Sequence, residues 1–178
     1  MNNLILVNGR RACPAEAAGE LIPVREDMPD VLLEREAARA LCRAMERLDG
    51  WRWIVPVSGW RSLAEQREIY EKSLRDNGPA FTARFVARPG HSEHQTGLAI
   101  DLGLMRPEMD FIRPAFPYEG ICQRFRELAP SFGFVERYPA GKEDVTGIAH
   151  EPWHFRYVGP PHAERMTRAG LTLEEYLT

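Results

Sequence analysis

The chain has 178 residues, 44% of them hydrophobic and 28% charged, with a formal net charge of -3. That length supports one well-buried core and is short for two ordinary domains, so a single domain spanning residues 1–178 is expected. No basic excess points to nucleic acid, which leaves a small molecule as the expected partner.

At the N-terminus the run Leu4-Ile5-Leu6-Val7 lacks a charged leader and ends at Asn8-Gly9. It reads as a short strand and as neither a secretory signal nor a membrane span, so a cytoplasmic protein is expected. Residues 1–29 as a whole read as this strand followed by a proline-bearing surface arm from Arg10 to Pro29. From Val31 to Leu48, Leu33, Ala37, Leu41, Ala44 and Leu48 keep helical spacing, with Asp30 placed to cap the start and Gly50 following the end. Trp53 to Ser58 is β-branched and aromatic and predicts a strand, and Pro56 puts it at an edge or a bulge.

Ser62 and Glu65 form a capping box for a helix running to about Asp76, with Gly78 as its stop. Arg61 therefore falls at a strand-to-helix junction. Phe81 to Ala87 is a weaker strand candidate and Leu98 to Leu102 a stronger one. Met105 to Pro117, with three prolines, reads as a long loop of the kind that forms a lid or binding wall. Tyr118 to Ala129 is amphipathic through Ile121, Cys122, Phe125 and Leu128. Gly133 to Tyr138 and His154 to Val158 alternate as strands, Gly159-Pro160-Pro161 turns the chain, and Thr172 with Glu175 caps a short last helix. Helices come early and strands cluster late, which predicts an α+β fold with a small antiparallel sheet flanked by helices. Cys13, Cys42 and Cys122 are an odd number at wide spacings and read as reduced thiols, the last two as core filler.

Two short segments carry the chemistry. Ser92-Glu93-His94-Gln95-Thr96-Gly97-Leu98-Ala99-Ile100-Asp101 and His150-Glu151-Pro152-Trp153-His154 together offer two imidazoles and a carboxylate, with a further carboxylate to spare. A closed structural zinc site has four protein ligands, whereas a catalytic one has three and an open position. Asp101 lies inside an apolar strand, where a carboxylate needs a partner or a metal to offset its desolvation. Gly97 lets the backbone turn His94 towards the same point.

The pattern S-x-H-x-x-G-x-A-x-D followed by E-x-x-H resembles the zinc D-alanyl-D-alanine peptidases of the VanX/VanY group. The likeness continues through Ser58-Gly59-Trp60-Arg61-Ser62 with Gln66, through Gly90-His91, and through Phe155-Arg156-Tyr157-Val158-Gly159, covering roughly residues 54 to 162. Within the group the chain is most similar to the soluble bifunctional VanXY type. The resemblance implies a Hedgehog/D,D-peptidase-like fold, a zinc ion on His94, Asp101 and His154, and Glu151 as general base. It implies that Arg61 steadies the oxyanion and that Gln66 and Ser92 hold the substrate end. The implied substrate is D-Ala-D-Ala dipeptide or the D-Ala-ended peptidoglycan precursor, whose removal would lower vancomycin susceptibility. Trp60 departs from the family's usual Tyr, keeping an apolar wall and losing a phenolic hydrogen bond. Trp153 beside the ligand is divided between substrate wall and core, and on the same strand Arg156 or Tyr157 can support the site.

His150-Glu151-Pro152-Trp153-His154 also satisfies H-E-x-x-H, in which both histidines bind zinc from one helix face. Pro152 disfavours helix at Glu151 and the following residues have strand composition, so His150 is not expected to ligate. A serine D,D-peptidase would need S-x-x-K, which does not occur. The remaining rivals are an L,D-carboxypeptidase or cell-wall endopeptidase with the same metal centre, and a non-catalytic zinc-binding recognition domain. Glu151 argues against the last, because a structural ion has no use for a spare base.

Overall fold

The computed structural model describes residues 3–15 and 17–178. Its centre is a four-stranded antiparallel sheet built from β3 (Ile54–Ser58), β4 (Ala99–Leu104), β5 (Phe134–Tyr138) and β6 (Glu151–Tyr157), ordered β3-β4-β6-β5. A separate two-stranded ribbon pairs β1 (Leu21–Pro23) with β2 (Leu32–Glu34). The helices are α1 (Arg35–Leu48), α2 (Leu63–Phe85), α3 (Gly120–Leu128), α4 (Glu143–Thr146), α5 (Pro160–Ala169) and α6 (Leu173–Tyr176). This is the expected α+β arrangement.

Alternation along the strands divides the sheet into two faces. Leu98, Ile100 and Leu102 beside β4, and Trp153, Phe155 and Tyr157 on β6, enter the main apolar core. Leu41 and Ala44 of α1 and Phe125 of α3 close it. Phe155 meets Phe125 edge-on with centroids 5.1 Å apart, a favoured aromatic geometry. Asp101, Arg137, His154 and Arg156 are also buried, and none belongs to that core.

Local signals place several elements as expected. Pro56 lies on β3, an edge strand of this sheet, where the register shifts between Pro56 and Ser58. Both capping boxes are present, Ser62 with Glu65 and Thr172 with Glu175. Cys122 is fully buried, whereas Cys42 is half-buried with its thiol 2.9 Å from the Val24 carbonyl.

Four local expectations are corrected. Leu4 to Val7 is not a strand, because Arg156 takes the carbonyls of Asn3 and Ile5 where a ladder partner would. The arm from Arg10 to Pro29 is not merely a surface meander, since β1 pairs with β2 and Val24 is buried. The helical pattern from Val31 begins as strand β2. Helix α1 starts only after Glu34, whose carboxylate caps the N–H groups of Glu36 and Ala37 in place of Asp30. Gly78 does break the helical backbone, with φ 79° and ψ 170°, but Pro79 suits a fresh first turn, and helix resumes to Phe85 where a strand was expected.

Candidate metal centre and active site

Two antiparallel strands bring the distant motifs together. Asp101 on β4 is the register partner of His154 on β6, so their side chains share one face. His94 comes from the short 3-10 turn Glu93–Thr96 that precedes β4. Gly97 ends that turn at φ 71°, and a Cβ there would stand 2.8 Å from Leu21 and 3.1 Å from the Glu34 nitrogen. Gly59 is equally constrained, since a Cβ would meet the Leu32 carbonyl at 2.2 Å. Its own carbonyl accepts from His94 Nδ1 at 2.6 Å, leaving Nε2 as the lone-pair atom facing Asp101.

His94 Nε2 lies 3.2 Å from Asp101 Oδ2, and His154 Nδ1 lies 2.9 Å from Asp101 Oδ1. All three residues are buried, and each offers a donor atom within 4.8 Å of the others. A tetrahedral zinc ion with bonds of about 2.0–2.2 Å separates its donors by roughly 3.3 Å, so the two nitrogens and the carboxylate have the chemistry and spacing to hold one. Glu151 joins them without entering the set. Its Oε2 is 3.8 Å from His154 Nδ1.

The electrostatics separate otherwise similar groups. Burial pushes the Glu151 carboxyl up to about 8, and the nearby Asp101 charge adds to this while His154 opposes it. Burial and the Arg61 guanidinium bring His94 down to about 4. For His154 burial acts in the same sense, but the carboxylates of Asp101 and Glu93 outweigh it and raise the ring to about 9. Burial would raise Asp101 too, yet the two imidazoles hold it well below the usual carboxylate range.

Arg61, at the expected strand-to-helix junction, reaches the same point. Its Nη2 donates to Asp101 Oδ2 at 2.8 Å and meets His94 Nε2 at 3.0 Å, while Nε donates to Ser58 Oγ at 2.8 Å. Gln66 is buried, with its Oε1 accepting from Arg61 Nη1 and its amide nitrogen donating to the Ala87 carbonyl. Ser92 is buried at the pocket wall, and Trp153 both lines the pocket and joins the apolar core. The cavity in front of these groups is about 170 Å³, with Phe111 and Ile112 of the 105–117 loop among its lining residues. His150 stands apart from the three donors. Its Nε2 is 2.7 Å from the Tyr118 hydroxyl, and Glu151 begins a strand, so the helical H-E-x-x-H geometry is absent.

Two buried residues, Glu93 and Arg137, carry no role that the sequence made legible. Glu93 Oε1 accepts from Arg137 Nε and Arg156 Nη1, both at 2.8 Å, and Oε2 faces His154 Nε2 at 3.5 Å. Burial alone would raise its carboxyl, but the two guanidiniums hold it well below the usual range. A glutamate beside a histidine carries no periodic signal. Its burial between β-strand arginines was the missing clue.

Comparisons with known proteins agree with this geometry. The family model for VanY, D-alanyl-D-alanine carboxypeptidase, matches residues 32–160. The bifunctional D-Ala-D-Ala dipeptidase and D-Ala-D-Ala carboxypeptidase VanXYC of Enterococcus gallinarum is 46% identical over 148 residues, 83% of this chain and 78% of that protein. The solved structure of the vancomycin resistance D,D-dipeptidase VanXYg with a D-Ala-D-Ala phosphinate analog superposes with a TM-score of 0.97 at 52% identity, covering 99% of this chain and 70% of that one. The VanY D,D-pentapeptidase E175A mutant from the VanB-type cassette, solved with Zn(II), gives a TM-score of 0.85 at 30% identity over 100% of both chains. By its sequence and its architecture, the chain belongs to the VanY D-alanyl-D-alanine carboxypeptidase family.

Proposed function

We propose that the chain is a single-domain zinc D,D-peptidase that hydrolyses the amide between terminal D-alanines, in the free D-Ala-D-Ala dipeptide and at the end of the peptidoglycan precursor. The observation that carries this reading is the spare carboxylate. Glu151 is buried in the pocket wall, 3.8 Å from a donor atom of the trio, and burial has pushed it up to about 8. A base of that strength suits proton transfer near neutral pH.

His94, Asp101 and His154 would hold the ion, which when bound supplies Lewis acidity and an acidified water. Glu151 takes the proton of the attacking water and returns it to the leaving amine. A cation on the trio would take over the Arg61 contacts to Asp101 and His94. Arg61 would then keep Ser58 and Gln66 and turn its free N–H groups to the carbonyl oxygen, where charge develops in the transition state. Gln66 steadies that guanidinium from behind, and Ser92 and Trp153 shape the place of the substrate end. Among the described residues no helix is long and apolar enough to cross a membrane. We place the activity in the cytoplasm, where removal of D-Ala-D-Ala ends would lower vancomycin susceptibility.

The test is release of D-alanine from the dipeptide and from a pentapeptide precursor, with and without chelator. Chelator-sensitive release from either substrate is expected. Release only from L,D-ended peptides would move the chain to the L,D-carboxypeptidases, and no release from zinc-loaded protein would overturn the reading.

A further inference from the structure

We propose that Glu93 is a positioning residue for His154, accepting the ring's Nε2–H so that Nδ1, which meets the Asp101 carboxylate in this structure, is the nitrogen that offers its lone pair when an ion is bound. The inference rests on the metal reading above, in that Nδ1 of His154 is taken as a ligand atom. It explains an asymmetry between the two histidines. His94 gives its Nδ1–H to the Gly59 carbonyl and presents Nε2, whereas His154 must present the other nitrogen, since its Nδ1 is the one 2.9 Å from Asp101.

The geometry singles out one acceptor for the His154 ring. Its Nε2 is buried without a hydrogen-bond partner among the described residues, and so is Glu93 Oε2. These two atoms face each other at 3.5 Å. A carboxylate behind an imidazole selects the tautomer and the ring orientation that a metal then sees.

Glu93 is held in turn by residues far along the chain. Its other oxygen accepts from Arg137 on β5 and Arg156 on β6. Arg137 makes a two-pronged bond to Glu174 on α6, at 2.8 and 2.7 Å, and Asn8 also donates to Glu174. Arg156 continues to the carbonyls of Asn3 and Ile5. Two carboxylates thus balance two guanidiniums in a cluster that is buried except at Glu174, and both ends of the described chain brace the ligand from behind.

Glu93→Gln discriminates sharply. Both arginines donate to Oε1, so the amide oxygen must take that place and the NH2 must face His154. A donor there favours the Nδ1–H tautomer, which cannot ligate. Zinc affinity, read by competition with a chromophoric chelator on the full chain, should fall by about 10–100-fold. Glu93→Asp, which keeps the charge but retracts it from the ring, should fall less, and His154→Ala should fall furthest. Wild-type affinity in Glu93→Gln beside loss in His154→Ala would overturn this inference alone. Wild-type affinity in His154→Ala would remove the metal reading and this inference with it. Should Glu93→Gln fail to fold, long-range 1H–15N NMR of the zinc-loaded wild type decides. Nδ1-ligated, Nε2-protonated His154 beside Nε2-ligated His94 is expected, and an Nε2-ligated His154 would refute it.

Discussion

The two faces of the central sheet are both largely buried and are chemically opposite. On one, Leu98, Ile100, Phe155 and Tyr157 pack against α1 and α3, and any complementary apolar shape would serve. On the other, Asp101, His154, Arg137 and Arg156 are buried with Glu93 and Glu151. A buried charge must be paired or must bind a cation. At the rear of that face two guanidiniums balance the carboxylates of Glu93 and Glu174, with Glu93 Oε2 left over for His154. At the pocket end Asp101 is paired with Arg61, but Glu151, with its carboxyl raised by burial, has no guanidinium within ion-pair distance among the described residues, and the His94–Asp101–His154 donors converge beside it. The difference teaches that burial of charge alone does not mark a site. Incomplete pairing does.

The comparison breaks most visibly at the trio. His154→Ala should lose both zinc and D-alanine release, while His150→Ala keeps its zinc stoichiometry by elemental analysis; metal loss in the latter would overturn the assignment of the ligands. Glu151→Ala should retain zinc and lower kcat by about 10²–10⁴-fold, the span general-base catalysis contributes. Unchanged turnover in metal-loaded Glu151→Ala would show that the spare carboxylate is not the base.

Arg137→Met, on the ionic face, and Phe155→Ala, on the apolar face, should each cost about 3–5 kcal/mol in urea unfolding, for different reasons. The first leaves the buried Glu93 carboxylate with one guanidinium, Arg156, in place of two and takes the guanidinium from Glu174, and the second opens a cavity. Because the guanidiniums depress the Glu93 carboxyl, its stabilising contribution is whole above an unfolded pKa of about 4.3 and is lost as pH falls through the folded value. The gap between wild type and Arg137→Met should therefore narrow below that pH, while the Phe155→Ala gap stays level. Parallel gaps would contradict the ionic account. Smallest of all, Ser62→Ala should cost about 1 kcal/mol through its capping bond to the Glu65 nitrogen, with zinc affinity untouched.

Signals that act over a few residues were readable directly. The capping boxes, Pro56 at an irregular edge and the Gly97 turn each report a local requirement that a residue type meets by itself. The strand expected over His154 to Val158 is present, and it begins three residues earlier, at Glu151. Elements that depend on a neighbour were misread. Leu4 to Val7 has strand composition, yet its segment is claimed by a guanidinium from β6. Helical spacing from Val31 was overruled where Leu32 to Glu34 found β1 as a partner. After Gly78 the chain resumed a helix that the break had hidden.

From the order of residues alone came the donor types and the sharp glycine turn that brings His94 and Asp101 near each other, because both are short-range consequences of chemistry and backbone freedom. What folding alone decided is the company each charge keeps. Glu93 lies next to a ligand in the chain but pairs with arginines 44 and 63 positions away. Contacts at that separation follow from strand order, and strand order is a property of the packed molecule.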